Sequence, residues 1–388
     1  MAGTIIVGAG QAGAQVAISL RQGGYRDPIL LLGAEAYPPY ERPPLSKELL
    51  AGKRQTEQLA LRKPDFYTAQ GITLRTGARV TGVDRAAKTV LLADGEVAAF
   101  HQLVWAAGGR ARRLTCPGAD AAGVHVIRTI DDVAALSNDL TGGRRRVIVI
   151  GGGYIGLEAA AVLREQGHAV TIVEAQDRLL ARVTAPPISD IYRQAHHAKG
   201  VLIRLGTTLS AMTTQNDRIT GLRLADGEEI PADLIIVGIG IQPNIEPLAD
   251  AGVECPNGVR VDAACRSSDP DILAVGDCAL FPNPYAVDPV RLESVPNAVE
   301  QARIAAASIL GTPAPAPAIP WFWSNQYNLR LQSAGLNRDW DRLEPVGNPD
   351  GGPFALRYFR QDRLIAVDCI NMTAEFNQAK REILPVGC

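Results

Sequence analysis

The stretch VIVIGGGYIGLEAAAVLREQGHAVTIVE, residues 147–174, decides the fold, because it holds every part of a dinucleotide-binding unit in order. Its first four residues are apolar and β-branched, as expected for a strand buried on both faces of a sheet. Gly151, Gly153 and Gly156 follow at G-x-G-x-x-G spacing, which allows a tight turn, close approach of the backbone to a pyrophosphate and close helix-to-strand contact. The stretch therefore predicts a strand, a helix that ends near Gly167, and a nucleotide at the helix N-terminus.

A carboxylate at the end of the second predicted strand indicates which nucleotide binds. Residues 170–173 form this strand, and Glu174 follows it directly. A carboxylate there can accept hydrogen bonds from an adenosine ribose. Glu174 therefore favours NAD over NADP.

Composition and charge exclude several classes of function. The chain has 388 residues, a length that predicts two or three domains, and its net charge of −2 gives no general attraction to nucleic acid or an anionic membrane. No apolar run reaches the roughly 18 residues that a membrane-spanning helix needs. The N-terminus, MAGTIIVGAG, enters a strand without the basic start of a signal peptide. We therefore expect a cytoplasmic protein that binds neither nucleic acid nor membrane.

The cysteines are scattered, and no C-x-x-C or C-x-x-x-x-C occurs. Zinc sites, iron–sulfur clusters and redox-active dithiols usually bring at least one pair of thiolates together locally. The sequence therefore predicts no metal site and no dithiol relay, and it favours buried or incidental thiols at Cys116, Cys255, Cys265, Cys278, Cys369 and Cys388.

The N-terminal part of the chain repeats the plan of the opening stretch. GAGQAG follows a short apolar strand and places Gly8, Gly10 and Gly13 at the same spacing. Three further pairs of segments recur in the same order: GITLRTGARV with GVLIRLGTTL, LLADGE with RLADGE, and LVWAAGG with LIIVGIG. The Asp-Gly steps predict hairpin turns in both copies. The sequence therefore predicts two homologous nucleotide-binding domains.

The second copy is predicted to be inserted in the first. DILAVGDCA, residues 271–279, supplies a strand that completes the first domain, and a helix with Pro296 near its first turn follows. A Pro/Ala linker, residues 311–320, leads to a C-terminal part in which FALRYF and RLIAVDCI predict an antiparallel hairpin. We expect Thr373 to cap a short last helix with Glu375 in its first turn.

The predicted fold class is α/β, with two Rossmann-like domains, the second inserted in the first, and a small C-terminal α+β domain. The predicted boundaries are 1–112 with 241–311 for the first domain, 113–240 for the second and 312–388 for the third.

The first site has features that a nicotinamide site does not need. YERPPLSK follows the second strand, and we expect its prolines to hold an extended backbone while Arg42 and Lys47 supply cations; a solvated basic loop would show the same pattern. Asp277, in VGDCA, can accept hydrogen bonds from the ribityl hydroxyls of a flavin. The helix start VPNA can point its dipole at the flavin ring. Two different nucleotides that must meet are therefore expected.

These motifs together resemble a known family. The resemblance rests on GAGQAG, RPPLSK, GGGYIGLE, RVTAPP, ADLIIVGIG, VGDCA, ESVPNAVEQAR, PWFWSNQY and AEFNQAK, and it extends over essentially the whole chain. It is a resemblance to the ferredoxin reductases of the glutathione-reductase fold, the family of the putidaredoxin and rubredoxin reductases. It implies that FAD binds in the first domain and NADH in the second. It further implies that electrons pass singly to a 2Fe-2S ferredoxin, which supplies a haem-thiolate monooxygenase or a Rieske oxygenase.

The resemblance also implies roles for residues at matching motif positions. Lys47 and Glu158 would pair beside the flavin, and Trp323 would lie between the cofactor and the protein partner; read alone, Glu158 could be a solvated helix residue and Trp323 a core residue. The implied FAD contacts are Gly8, Gly10, Ala12, Gly13, Glu35, Arg42, Lys47, Val80, Arg128, Asp277 and Val295. The implied NAD contacts are Gly151, Gly153, Tyr154, Ile155, Gly156, Glu158, Glu174, Arg182 and Gly240.

Three positions depart from the family pattern. The acid that follows the second strand of the first domain in the family falls at Ala34 here, so either Glu35 replaces it from a shifted turn or the ribose contact is lost. Ala107 stands where the family often has Thr, and Asn325 where it often has Asp. Local hydrogen bonds are therefore expected to differ from those of the family.

Two other functions share these sites. A flavin oxidase would deliver electrons to oxygen, and a redox sensor would use both nucleotides to bind a partner without turnover. The absence of a local cysteine pair disfavours a disulfide reductase. For a ferredoxin reductase, we expect an acidic ferredoxin to dock on basic residues near the flavin, with Arg303 and Arg330 as candidates from their nearness in sequence to the flavin helix and to WFWS.

Overall fold

The computed structural model describes residues 3–316 and 318–386, and its elements follow the predicted order. The first copy begins with β1 (Thr4–Val7), α1 (Gln11–Gln22), β2 (Ile29–Leu32), α2 (Pro64–Ala69), β3 (Ile72–Arg75), β4 (Val80–Asp84), β5 (Thr89–Leu92), β6 (Val97–Ala99), β7 (Gln102–Trp105) and β8 (Gly109–Ala111).

The second copy has β9 (Val124–His125), α3 (Ile130–Leu140), β10 (Arg146–Ile150), α4 (Tyr154–Glu165), β11 (Ala169–Val173), α5 (Pro186–Ala198), β12 (Leu202–Arg204), β13 (Leu209–Gln215), β14 (Arg218–Leu224), β15 (Glu229–Pro231) and β16 (Leu234–Val237). Strand β17 (Ile241–Pro243) follows the second copy. The chain continues with α6 (Glu246–Asp250), β18 (Val259–Arg260), β19 (Ile272–Ala274), β20 (Ala279–Leu280), α7 (Val295–Leu310), β21 (Trp321–Gln326), β22 (Leu329–Gly335), β23 (Arg342–Gly347), β24 (Phe354–Arg360), β25 (Arg363–Ile370) and α8 (Thr373–Glu382).

Two parallel sheets with matching strand orders confirm the predicted α/β fold class. The order is β3-β2-β1-β7-β19 in the first sheet and β12-β11-β10-β16-β9 in the second. The central strand of each, β1 or β10, leads into a glycine-rich turn and then a helix. The edge strands have different origins: β19 comes after the second copy in the chain, whereas β9 precedes the central strand of its own sheet.

The chain enters and leaves the second copy at one place. Strand β8, before the second copy, pairs antiparallel with β17, after it, through the partners Gly109 and Pro243. Each parallel sheet also has an antiparallel three-stranded companion, β4-β5-β6 in the first copy and β13-β14-β15 in the second. These companions contain the Asp-Gly turns that the sequence predicts between β5 and β6 and between β14 and β15.

The C-terminal part is an antiparallel sheet of order β21-β22-β25-β24-β23, with α8 packed on one face through Phe376. The predicted hairpin of β24 and β25 is present. Residues 312–316 and 318–320 form neither helix nor strand, as expected of the Pro/Ala linker, and Pro317 lies outside the described residues. Within the described part of the chain, no helix is long and apolar enough to cross a membrane.

The expectation that Thr373 caps the last helix is wrong. The capping position belongs to Met372, which makes no side-chain cap, and Thr373 is the first helical residue. The Thr373 hydroxyl donates instead to Oε1 of Gln332 on β22, at 3.0 Å. A hydrogen bond to a distant residue thus replaces the local one, in which the hydroxyl oxygen would have accepted from a backbone N–H of the helix. Glu375 does lie in the first turn, where it pairs with Arg357 at 2.6 Å.

A buried carboxylate ties the C-terminal sheet to the second copy. Oδ2 of Asp368 accepts hydrogen bonds from the hydroxyls of Thr184 and Tyr358, both at 2.5 Å, and Oδ1 accepts one from Ser333 at 2.6 Å. Burial raises the pKa of Asp368, while these three donors act in the opposite direction. The segment before α5 is therefore held against the sheet that carries β21.

Candidate functional site

The first and third glycines of both fingerprints are required by close backbone contacts. A Cβ atom at Gly8, which has a φ of +108°, would lie 2.1 Å from the carbonyl oxygen of Ala106, and one at Gly13 would lie 1.9 Å from that of Gly8. The second copy repeats this geometry. A Cβ atom at Gly151 would lie 2.4 Å from the carbonyl oxygen of Gly238, and one at Gly156 would lie 2.3 Å from that of Gly151. Any side chain at these positions would push strand, turn and helix apart.

The second glycine of each fingerprint faces open space. A Cβ at Gly10 would meet no atom within 4 Å, and one at Gly153 would meet only the Gly238 oxygen, at 4.0 Å. Both residues are N-caps without a side-chain hydrogen bond to the helix, so the first N–H groups of α1 and α4 stay free. Two open cradles at helix N-termini fit the pyrophosphates of two dinucleotides.

Two residues implied as FAD contacts meet directly. Asp277 lies in a 3-10 turn after β19, and its Oδ2 accepts a hydrogen bond from Nη2 of Arg128 at 2.8 Å. Nε of Arg128 also donates to the carbonyl oxygen of Gly109 at 2.9 Å. Arg128 follows β9 of the second copy, so this ion pair joins the two copies. It places a carboxylate and a guanidinium within reach of one polar ligand.

Glu35 is already engaged by neighbouring side chains. Its Oε1 accepts from Nη2 of Arg42 at 2.6 Å and its Oε2 from the hydroxyl of Tyr40 at 2.6 Å. Nη1 of Arg42 donates to the carbonyl oxygen of Arg128 at 2.6 Å, and burial raises the pKa of Tyr40. Two of the implied FAD contacts, Glu35 and Arg42, therefore form one ion pair, and this pair lies next to a third, Arg128.

Three more implied contacts line the first copy at separate points. Ala12 is buried in the first turns of α1, where its methyl faces Gly276. Val80, the first residue of β4, and Val295, the first residue of α7, are half-buried. The N-cap of α7 is Ser294, whose Oγ accepts from the backbone N–H of Asn297 at 3.3 Å, and Pro296 lies in the first turn as predicted.

Lys47 and Glu158 form the contact that the resemblance implied. Nζ of Lys47 lies 2.8 Å from Oε2 of Glu158, and the carboxylate is 2% exposed. Two serines that the sequence reasoning missed complete the site. Ser46 donates to Oε2 at 2.5 Å, and Ser324 donates to Oε1 at 2.7 Å. The buried carboxylate belongs to α4 of the second copy. It thus receives hydrogen bonds from the first copy and from the C-terminal sheet.

The expected extended backbone of YERPPLSK is wrong for its second half. Pro44 has helical angles (φ −70°, ψ −15°) and precedes a π-helix, Leu45–Leu49, in which the N–H of Leu49 donates to the Pro44 oxygen at 2.9 Å. Proline's φ suits the first turn of a helix as well as an extended chain. The π-helix carries Ser46 and Lys47 side by side, so both reach one carboxylate.

Glu174 lies beside the second glycine-rich turn. Its Oε2 accepts from the backbone N–H of Gly152 at 2.5 Å, and its Oε1 accepts from that of Gln176 at 2.8 Å. Ile155, 43% exposed, and Arg182, also exposed, offer side chains to solvent, and Gly240 begins the segment that leads to β17. The acid and the open cradle are thus adjacent, as binding of an adenosine ribose and its pyrophosphate requires.

An aromatic group connects the start of α4 with β21. The Tyr154 ring lies 4.6 Å from that of Phe322, and the Trp323 ring lies 6.3 Å from Phe322 and 5.4 Å from Trp321. Ser324 is the next residue on the strand, so Trp323 and Ser324 face opposite sides of the sheet. The half-buried Trp323 is therefore one residue away from the Glu158 contact.

Burial raises the pKa of each of the five described cysteine thiols. The five described cysteines are free, and burial raises the pKa of Cys278, next to Asp277, to about 12 and that of Cys255 to about 11. A thiol with such a pKa supplies almost no thiolate near neutral pH. Cys388 lies outside the described residues. The described thiols therefore do not suit dithiol exchange.

The candidate docking cations, Arg303 on α7 and Arg330 on β22, are both exposed. Helix α7 also carries Val295, and β22 pairs with β21, the strand that carries Trp323.

Comparisons with known proteins agree with this geometry. The family model of the pyridine nucleotide-disulphide oxidoreductases matches residues 3–302, and that of the reductase C-terminal domain matches residues 321–384. The chain is 48% identical to a ferredoxin–NAD(P)+ reductase of a Sphingomonas species over 97% of this chain and 91% of the relative. It is 43% identical to the putidaredoxin reductase of Pseudomonas putida over 98% and 92%. A solved covalent complex of putidaredoxin reductase with putidaredoxin superposes with a TM-score of 0.95 at 41% identity, covering 98% of this chain and 92% of that one.

Proposed function

Because the chain belongs to the pyridine nucleotide-disulphide oxidoreductase family and is an FAD-dependent ferredoxin reductase within it, we propose that its acceptor is a 2Fe-2S ferredoxin. We further propose that this ferredoxin supplies a haem-thiolate monooxygenase or a Rieske oxygenase. The chain binds FAD and NADH, and the flavin, when bound, converts a two-electron donor into two one-electron deliveries. The free cysteines support a proposed cytoplasmic location, where thiols stay reduced.

We propose that each ligand and the protein partner bind to a different one of the three predicted domains. Residues 1–112 with 241–311 hold FAD, residues 113–240 hold NADH, and residues 312–388 present the face for the protein partner. The antiparallel pairing of β8 with β17 supports the two crossings at residues 112 and 241. The open cradles at Gly10 and Gly153 support one dinucleotide in each copy.

The observation that carries the proposal is the carboxylate of Glu158. It belongs to the proposed NADH-binding copy, yet its partners are Lys47 of the proposed FAD-binding copy and Ser324 of the C-terminal sheet. In our proposal this pair would position the nicotinamide and would balance the change in charge when the flavin is reduced. Trp323, one residue from Ser324, would lie between the flavin and the protein partner.

Anaerobic titration with NADH tests the proposed function. One equivalent of NADH should bleach the flavin absorbance, and a 2Fe-2S ferredoxin added afterwards should restore it as the cluster is reduced. In a parallel assay in air, NADH consumption without ferredoxin, matched by formation of peroxide or water, would support the oxidase instead. Negligible turnover with every acceptor would support the redox sensor.

Glu174 predicts that the enzyme prefers NADH to NADPH. Its carboxylate lies against the glycine turn, where a 2′-phosphate would add negative charge. We expect kcat/KM to be at least about a hundredfold lower with NADPH, and a Glu174→Ser variant to narrow the difference. Steady-state rates with both nucleotides measure this. Comparable efficiencies in the parent protein would contradict the assignment.

Arg303 and Arg330 predict that docking of the ferredoxin depends on salt. Reversing both charges (Arg303→Glu with Arg330→Glu) should lower the ferredoxin reduction rate about tenfold at low ionic strength and flatten its salt dependence. Reduction of ferricyanide, which needs no docking, should be unchanged. Reversal of Arg223, an exposed arginine on β14 paired with Glu229, is the matched control. An unchanged rate and salt dependence would show that these arginines lie outside the interface.

A further inference from the structure

A chain of hydrogen bonds, buried except at its outer end, runs from Tyr327 to the Glu158 carboxylate. The Tyr327 hydroxyl lies 3.2 Å from Nδ1 of His196, and Nε2 of His196 lies 2.9 Å from Oε1 of Gln326. Nε2 of Gln326 donates to Ser324 Oγ at 3.2 Å, and Ser324 donates to Glu158 at 2.7 Å. The four inner residues are each at most 2% exposed. The chain joins α5, β21 and α4.

The charge at one end determines the direction of every bond in this chain. An ionised carboxylate only accepts, so Ser324 must donate to it and must accept from the amide N–H of Gln326. The amide oxygen of Gln326 then faces His196, whose Nε2 must carry a hydrogen. In neutral imidazole the other nitrogen, Nδ1, is an acceptor, so Tyr327 must donate to it. All four donors therefore point toward Glu158.

The surroundings of His196 suit this neutral form. Burial lowers its pKa below the ordinary 6.5, because a charged imidazole would lose its hydration there. The charged groups near the outer end are Lys199, whose Nζ lies 5.7 Å from the Tyr327 ring, and Arg164 and Glu165 of α4. At the inner end, Lys47 and Tyr192 face Glu158. Because the lowered pKa keeps the ring neutral as the pH falls through 6.5, the donor at Nε2 and the acceptor at Nδ1 persist there.

We infer that His196 is a positioning residue for Glu158 and acts on it through Gln326 and Ser324. The inference rests on the proposed role of Glu158 in NADH oxidation. Lys47 and Ser46 both bind Oε2, so Ser324 is the partner that holds Oε1. Without the chain the carboxylate could rotate about its last bond while keeping its ion pair. His196 therefore sets the orientation of the carboxylate rather than its charge.

The first test observes the chain itself, in the FAD-loaded protein. The sequence has only five histidines, so the ¹⁵N signals of His196 can be assigned by difference. We expect a neutral ring with hydrogen on Nε2 from pH 8 to below 6.5. Ser324→Ala and Glu158→Gln should shift these signals, whereas those of His197, its exposed neighbour on α5, should stay in place. His196 signals that ignore both substitutions would overturn the inference.

The second test separates positioning from binding. His196→Leu, Gln326→Met and Ser324→Ala should each slow flavin reduction by NADH about tenfold with little change in the Kd for NADH, as expected for the loss of one hydrogen bond to a charged group. His196→Gln, which can keep a donor near Nε2, should recover most of the rate, and His197→Gln should match the parent. Should His196→Leu fail to fold, Ser324→Ala carries the same test, because it removes a single hydroxyl oxygen from the chain of hydrogen bonds.

The two proposals fail in distinguishable ways. Equal rates in Ser324→Ala, Gln326→Met and the parent would overturn the positioning role, whatever the acceptor. A parent protein that is reduced by NADH but reduces no ferredoxin would overturn the proposed function and leave the positioning role standing if the variants are still slow.

Discussion

Replacing Gly153 by Val should weaken NADH binding at least about a hundredfold while FAD stays bound, and replacing Gly10 by Val should instead remove FAD. The reason is that neither position is crowded by the protein: a Cβ finds nothing within 4 Å at Gly10 and one oxygen at 4.0 Å at Gly153. Both have negative φ, −93° and −83°, which Val adopts without strain. The new side chain would occupy the space of a pyrophosphate and break its charge-assisted hydrogen bonds to the helix N-terminus.

The ratio of flavin to protein absorbance measures the first ligand, and titration with NAD+ measures the second. Gly82→Val, in strand β4 with ordinary contacts to Leu91, is the matched control and should keep both ligands. Gly13→Ala should differ from all of these, because its Cβ would lie 1.9 Å from a carbonyl oxygen, and we expect it to lower the melting temperature. If Gly153→Val bound NAD+ as tightly as the parent, the second cradle would not be the NADH site.

Replacing Glu158 by Gln should slow flavin reduction by NADH about a hundredfold. Three donors, Ser46, Lys47 and Ser324, converge on the two carboxylate oxygens, and an amide offers only one acceptor to them. One donor would then face the amide N–H, and Lys47, whose side chain is 14% exposed, would keep its charge without a counter-charge. The alignment of nicotinamide and flavin that we propose for this pair would then be lost.

Anaerobic stopped-flow absorbance measures this rate, with flavin content and melting temperature checked in the same preparation. Glu57→Gln is the control, since Glu57 is exposed in the short helix that follows the Lys47 segment. The double variant Lys47→Met with Glu158→Gln removes both charges and should recover stability without recovering the rate. If the flavin of the Glu158→Gln variant were reduced at the parent rate, Glu158 would have only a structural role.

Local patterns account for the parts of the fold that the sequence predicted. Glycine spacing is a statement about neighbouring residues, so GAGQAG and GGGYIGLE could be interpreted as strand, turn and helix without knowing anything else. The same holds for the Asp-Gly hairpins and for Pro296 in the first turn of α7. Recurrence of these patterns in one order then led to the duplication.

The two wrong expectations have a common cause. The prolines before Lys47 permit both an extended chain and the start of a helix. The hydrogen bonds of Ser46 and Lys47 to the buried Glu158 favour the helix. Threonine is a residue type that often caps a helix, yet the hydroxyl of Thr373 donates to Gln332 on strand β22. In both cases the local preference of the residue was compatible with two conformations, and a contact with a residue distant in sequence stabilised one of them.

What the sequence by itself determined is the set of local units: two strand–turn–helix cradles, the acid after the second, and the order in which the chain visits them. Only the tertiary structure decided how the Glu158 site is closed. Ser46 lies 112 residues from Glu158 along the chain, Ser324 lies 166 from it, and His196 lies 130 from Gln326. Serine, glutamine and histidine carry no spacing rule across such distances. They become a site only because packing brings a π-helix, a strand and two helices around one buried carboxylate, which needs all its hydrogen bonds.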